Sequence, residues 1–418
     1  GLVSFLIELM HKKEVNNMKI AILGYGTVGK GLVEIIEGNK NKRNIQIEGI
    51  LVRNKEKYKS SKYNDIITEN IEDIFDKEID ILVELMGGLH PSYEYIKRAL
   101  KDNINVVTAN KDMLAEYGDK LVKIAKENNV SLRFEASVGG GIPVLKPLTE
   151  SLEGNDIESM YAILNGTTNF ILSKMYDEGL PYEKVLKEAQ ELGFAEANPE
   201  ADVEGYDAAR KLSILSTLAY HRRVYWKDFY LEGISNLDMK DMDYAKKLGC
   251  KIKLVGQSKK NKENVTGFVR PVLVDNNSLL SKIDNEYNIV VLNGNSVGEL
   301  SFVGKGAGKE PTGSAVYADL IDIFDKRISN IDSFMQEKIE VEKTISNNCQ
   351  ALLRFKSPQK EEIIKLIKAC VDEFEIVEDN DELVIMVYAN SEYEINNILC
   401  LIRDKGYCKE SRKLLKIS

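Results

Sequence analysis

The sequence predicts an α/β protein, and three observations carry the prediction. An apolar strand, Lys19 to Leu23, runs into the glycine turn Gly24-Tyr25-Gly26-Thr27-Val28-Gly29 and then into a helical pattern of Val28, Leu32, Val33, Ile35 and Ile36. Short apolar strands then alternate with amphipathic helices through the first third of the chain. The last segment, 346–418, reads as strand (350–355), helix (360–374), strand (375–378), strand (382–388), helix (392–405) and strand (412–417), the β-α-β-β-α-β order of a ferredoxin-like unit.

The first stretch is built to hold a pyrophosphate. Gly24 permits the tight turn, Gly26 lets backbone approach phosphates, and Gly29 allows the helix to pack closely on the strand. Thr27 and Val28 open that helix, where N–H groups favour an anion. Residues 18–150 are therefore expected to form a Rossmann-type dinucleotide-binding domain. A second strand, 45–52, ends at Arg53, with Lys55 and Lys57 behind it. Asp or Glu there would bind the ribose 2'-hydroxyl of NAD, whereas Arg accommodates a 2'-phosphate, so NADP is expected and NAD is the alternative. A third strand, 79–86, stops at Gly87-Gly88, which makes Gly87 a cofactor candidate at the sheet edge where ligands bind. The next strand, 105–109, delivers Lys111 to that edge, either as a site residue or as a solvated lysine. A helix (113–128) and a fifth strand (131–136) complete the domain. Three glycines in 137–143 then expose backbone, which either touches a ligand, joins Glu135 in offering oxygens to a hard cation, or acts as a hinge.

A second region, 151–325, opens with another strand-to-glycine turn at 161–170. Acids cluster in 193–207 before a helix on which Ala208, Leu212, Ile214, Leu215, Leu218 and Ala219 occupy one arc of roughly 160°. Asp207 and Lys211 fall inside that arc. Exposed, such a pair is worth about 0.2–0.5 kcal/mol. Buried, its desolvation costs several kcal/mol, so the pair is expected to serve catalysis rather than stability. Strands follow at 248–256 and 264–274, and a glycine-rich turn at 304–313 opens a helix through Asp325. Gly306 there either returns backbone to the cofactor or belongs to a plain turn. Residues 326–345 connect to the last segment.

Composition narrows the partners. A net charge of -9 with mixed acids and bases argues against nucleic acid and leaves small polar substrates. Five cysteines without C-x-x-C spacing suit a reduced, cytoplasmic setting, and no apolar run is long enough to span a membrane. Residues 1–17 precede Met18, and codons allowed by Lys12 to Val15 include a purine-rich ribosome-binding sequence, so this stretch is expected to be a translated leader.

From Lys19 to about Ile323 the linked motifs G-Y-G-T-V-G-K-G, V-T-A-N-K, E-A-S-V-G-G-G-I-P, N-G-T-T-N, A-D-V-E-G-Y-D-A-A-R-K-L, V-R-P-V-L-V and G-K-G-A-G-K-E-P-T resemble those of the homoserine dehydrogenases. The resemblance implies an α+β catalytic and dimerisation domain after the Rossmann domain, and NAD(P)H-dependent reduction of L-aspartate 4-semialdehyde to L-homoserine on the route to threonine, methionine and isoleucine. It implies that Lys211 is the proton donor, oriented by Asp207, with Lys111 a second active-site lysine. Glu196 and Asp202 would hold the substrate amino group and water, and Gly166 and Thr167 would contact substrate. Carbonyls at Val138 and Gly140, with the Glu135 carboxylate, match a monovalent-cation site for an ion such as Na+. A homodimer or homotetramer is implied. Gly313 and Asn288-Ile289-Val290 depart from the common pattern and look structural. The last segment resembles an ACT domain, but Lys356-Ser357-Pro358-Gln359 lacks the glycine turn on which such domains bind amino acids. The rival readings are a catalytically silent NADP-binding sensor and another amino-acid semialdehyde dehydrogenase.

Overall fold

The computed structural model describes residues 17–39 and 43–417, so the expected leader lies outside the described residues except for Asn17. Two compact units emerge, Gly1–Glu153 with Lys305–Gln336, and Gly154–Gly304 with Glu337–Ser418. The helices include α1 (Thr27–Gly38), α2 (Lys111–Glu127), α3 (Gly166–Glu178), α4 (Tyr206–Tyr220), α5 (Lys309–Phe324), α6 (Lys360–Cys370) and α7 (Glu392–Asp404).

In the first unit, β1 (Met18–Leu23), β2 (Ile45–Leu51), β3 (Ile67–Thr68), β4 (Ile81–Glu84), β5 (Asn105–Thr108) and β6 (Leu132–Arg133) form a parallel sheet in the order β3-β2-β1-β4-β5-β6. The order reverses beside β1, and the carboxyl edge there is where such sheets bind dinucleotides. Alternation sends Ile20, Ile22, Ile81, Val83 and Val107 to one face, where they pack with Leu32 and Val33 of α1 and with Ala315, Val316 and Leu320 of α5. Sequence order had placed α5 in the second region; in the structure it returns to the first unit and packs on α1. Glycines make this close approach, since a Cβ on Gly313 would stand 2.9 Å from the Leu32 nitrogen and one on Gly31 would meet the Lys309 carbonyl. The Gly313 departure is thus a packing requirement. The fifth strand is shorter than its alternation suggests, because Glu135–Ser137 coils into a single turn whose first N–H donates to Asp319 at 2.8 Å.

The second unit holds β7 (Ile157–Ile163), β8 (Tyr230–Leu231), β9 (Cys250–Lys260), β10 (Val265–Asp275), β11 (Tyr287–Gly294), β12 (Gly298–Lys305), β13 (Val341–Glu342), β14 (Cys349–Phe355), β15 (Glu373–Asp379), β16 (Leu383–Ala389) and β17 (Ser411–Ile417). They form one sheet ordered β12-β11-β7-β9-β10-β17-β14-β16-β15, with β8 and β13 also paired to β10. Ala162 pairs with Gly256 on the face covered by α4, where a Cβ on Gly256 would lie 3.2 Å from Leu212. The final β14-α6-β15-β16-α7-β17 run has the expected ferredoxin-like order. Its last strand pairs in parallel with β10, Val272 opposite Leu415, so the sheet continues from the central strands into the C-terminal segment. Charge locks this joint. Arg270 on β10 and Glu392 at the start of α7, both 1% exposed, share two hydrogen bonds of 2.7 and 2.8 Å. Among the described residues no helix is long and apolar enough to cross a membrane, and all five cysteines are free.

Candidate active site

In the first unit the glycine turn does what its spacing predicts. Gly24 has φ +102°, and a Cβ there would lie 2.8 Å from the Leu85 carbonyl oxygen. A Cβ on Gly29 would land on the Gly24 carbonyl, whereas one on Gly26 meets nothing within 4 Å. Gly26 thus leaves an open side directly before Thr27 and Val28, the first residues of α1. A helix N-terminus with bare backbone in front of it suits the pyrophosphate of a dinucleotide. Gly29→Ala therefore weakens dinucleotide binding by about tenfold or more, as read by nicotinamide fluorescence titration.

Arg53 is exposed one residue past Val52, beyond the end of β2. Gly87, with φ +72°, lies in the loop after β4, and that loop is organised by a residue the sequence did not single out. Glu84 is fully buried, and its carboxylate accepts the N–H groups of Met86 (2.8 Å) and Gly87 (3.0 Å) and the hydroxyls of Ser92 (3.2 Å) and Thr108 (2.6 Å). Asn110 continues the same edge: its amide donates to the Gly88 carbonyl at 2.6 Å and its oxygen caps α2, which begins at the half-buried Lys111. An acid inside an apolar strand was the available signal for Glu84.

Gly139 and Gly140 both adopt positive φ, and a Cβ on Gly140 would stand 2.6 Å from the Gly306 carbonyl, so these two glycine loops touch. The Glu135 carboxylate does not stand open beside Val138. It accepts the N–H groups of Val144 (2.8 Å), Leu145 (3.0 Å) and Lys146 (2.8 Å), closing the turn that follows the loop. Burial pushes this carboxyl up, against the pull of those N–H groups. Its neighbour Asp319, fully buried and beside the Glu135 charge, is pushed up to about 8.

The second unit brings the acid cluster and the lysine together. Asp207 and Lys211 lie one turn apart on α4, 2.7 Å from each other, with side chains 9% and 12% exposed. Lys211 also donates to the Leu164 carbonyl at 2.9 Å. Asn165, unremarked in the sequence, is the hub: its amide nitrogen donates to Asp202 (2.7 Å) and Asp207 (2.9 Å) while its oxygen caps α3 through Thr168. Asn at the end of a strand and just before Gly166 was its signal. Gly166 admits the Glu286 carbonyl, 2.9 Å from where a Cβ would sit. The buried Thr167 hydroxyl donates to the Phe194 carbonyl at 2.7 Å, tying the acid loop to α3. Glu196 is exposed on that loop, with its carbonyl bound by Gln190. Among the described residues the Lys211 ammonium donates to two acceptors, and an ammonium carries three N–H groups, so one can meet an incoming oxygen.

Comparisons with known proteins point to one family. Residues 24–135 match the model of the homoserine dehydrogenase NAD binding domain, and 143–321 match that of homoserine dehydrogenase. The chain is 42% identical to the Bacillus subtilis homoserine dehydrogenase over 314 residues, covering 73% of this chain and 72% of that one. It is 41% identical to the Helicobacter pylori enzyme over 325 residues, 76% of each. A crystal structure of a homoserine dehydrogenase from Thiobacillus denitrificans superposes with a TM-score of 0.89 at 33% identity, over 96% of this chain and 99% of that one. A hyperthermophilic archaeal homoserine dehydrogenase in complex with NADPH superposes at 0.65 with 29% identity, over 75% and 99%. A dinucleotide cradle in one unit, a half-buried lysine held by Asp207 in the other, and relatives aligned across both place this oxidoreductase in the homoserine dehydrogenase family.

Proposed function

We propose that Lys211 is the proton donor in the NAD(P)H-dependent reduction of L-aspartate 4-semialdehyde to L-homoserine, the reaction of this family. The observation that carries this is the hydrogen-bonded Asn165-Asp202-Asp207-Lys211 cluster, with Asn165 and Asp207 buried. The reduced nicotinamide, when bound, supplies a hydride to the aldehyde carbon. Lys211 gives its free N–H proton to the aldehyde oxygen as charge develops there, and the alcohol results. Asp207 and the Leu164 carbonyl hold the ammonium in place, and Asn165 keeps Asp207 fixed. Glu196 and Asp202 hold the substrate amino group and water, Gly166 and Thr167 contact the substrate, and Lys111 is a second active-site lysine.

NADP is the preferred cofactor. Arg53 supports this, and so does the NADPH carried by the archaeal relative. Arg53→Asp is expected to lower kcat/KM for NADPH relative to NADH by at least about tenfold in initial-rate assays. An unchanged ratio would remove Arg53 from the cofactor site.

A monovalent cation such as Na+ fits less well than the resemblance implied. The Glu135 carboxylate already accepts three backbone N–H groups, two on Oε1 and one on Oε2, and no step is assigned to a cation. We further infer a homodimer or homotetramer working in a reducing, cytoplasmic setting. Exposed Val297 and Val303 along the β12 end of the sheet support the association. The C-terminal ACT-like segment is read as a domain that pairs and stiffens, because its sheet is continuous with β10.

A further inference from the structure

Asn288 is a buried polar residue of the second unit, 1% exposed, whose whole side-chain amide, Oδ1 and Nδ2 alike, lacks a hydrogen-bond partner among the described residues. A buried amide in that state costs stability, so the chain gains nothing from it as packing. Its position gives it a use. The β11-β7 register pairs Ile289 with Ile163 and Val290 with Ala162; Asn288, two residues before Val290 on the same face of β11, sits at the end of this ladder, where Leu164 follows Ile163 out of β7. Opposed residues share a face, and this is the face of Ala162 and Gly256, which Leu212 of α4 covers. Leu164 is the residue whose carbonyl accepts the Lys211 ammonium. The next residue, Asn165, holds Asp202 and Asp207, and the one after it, Gly166, rests against the Glu286 carbonyl two residues before Asn288. The segment carrying Asn288 is therefore packed into the turn that seats the proton donor.

We propose that Asn288 is a positioning residue for proton transfer: its amide holds an internal water against the Leu164–Gly166 turn and thereby fixes the seat of Lys211. The proposal rests on Lys211 as donor. An amide offers the one donor and one acceptor that such a water uses, and the Leu164 carbonyl has a second lone pair to complete its bonding.

The test is steady-state kinetics of the full chain with NADPH and L-aspartate 4-semialdehyde over a range of pH. Asn288→Leu removes the polar atoms and fills the space; Asn288→Ala removes them and leaves room for water. Asn288→Leu is expected to lower kcat about tenfold, leave both KM values within about twofold, shift the pH limb of kcat, and hold or raise Tm. Asn288→Ala retains more kcat than Asn288→Leu, and Asn288→Leu adds nothing in a Lys211→Ala background. Wild-type kcat and pH profile in Asn288→Leu would overturn the proposal, as would an alanine variant less active than the leucine one, which is the signature of packing. A change in semialdehyde KM alone would make Asn288 a substrate contact and also overturn it. If the leucine variant does not fold, the alanine variant decides by whether its pH limb moves. Full activity in Lys211→Ala by itself would instead defeat the assignment of the donor.

Discussion

Lys211→Ala lowers kcat for semialdehyde reduction by about 10²–10⁴, the range over which a positioned general acid accelerates proton transfer. On the proposed role the loss is expected in kcat, because the ammonium would bond most strongly to an oxygen whose charge develops only as hydride arrives. Affinity for NADPH is expected to stay, since the glycine cradle belongs to the first unit and Lys211 to the second. Lys211→Arg does not rescue, because a guanidinium is a far weaker acid and its planar fork does not fit the Asp207 and Leu164 acceptors of a compact ammonium. Single-turnover NADPH oxidation separates the chemical step from product release. A chemical rate within about twofold of the parent would remove Lys211 from that step.

Glu392→Ala destabilises the second unit by about 3–5 kcal/mol, the cost of stripping the partner from a buried charge. Arg270 is as buried as Glu392 and loses both ends of its fork in the variant. The Ile345 N–H, 3.0 Å from the carboxylate, and the Lys413 ammonium, at 2.6 Å, lose an acceptor as well. Burial alone would push the Glu392 carboxyl up, but the Arg270 fork and charge, then Lys413, outweigh it and bring it down to about 2. The sign follows. A folded-state value below the unfolded one gives stability that is complete above the unfolded value, near 4.5, and is lost as pH falls toward about 2. Urea unfolding midpoints should drop through that acid window in the parent, and the drop should flatten in Glu392→Gln. Parallel pH profiles for the two would show that the pair contributes no pH-linked stability.

Local patterns made the glycine cradle and the ferredoxin-like run legible. Strand alternation and the Gly24, Gly26 and Gly29 spacing depend only on neighbours in the chain. The wheel of α4 put Asp207 and Lys211 inside; Asp207 is buried and Lys211 half-buried, but the wheel predicted one buried arc where the helix is buried nearly all round. Ser213 and Tyr220 tolerate this because their hydroxyls donate to the carbonyls of Val224 (2.7 Å) and Ser258 (2.9 Å), partners that no helical period reveals. What was not legible came from distant segments. Asn165 matters because Asp202 and Asp207, from later in the chain, converge on it. The bonds from the turn at 144–146 to the Glu135 carboxylate likewise come from a later segment. The return of α5 to the first unit rests on Gly31 and Gly313 meeting face to face, which a linear reading assigns to two different domains.

The most direct measurement is the initial rate of NADPH oxidation by the full chain with L-aspartate 4-semialdehyde, with NADH run beside it and the product identified. The account predicts saturable oxidation that yields L-homoserine, runs faster with NADPH than with NADH, and collapses in Lys211→Ala. No oxidation of either cofactor, in protein that still binds NADPH, would contradict it.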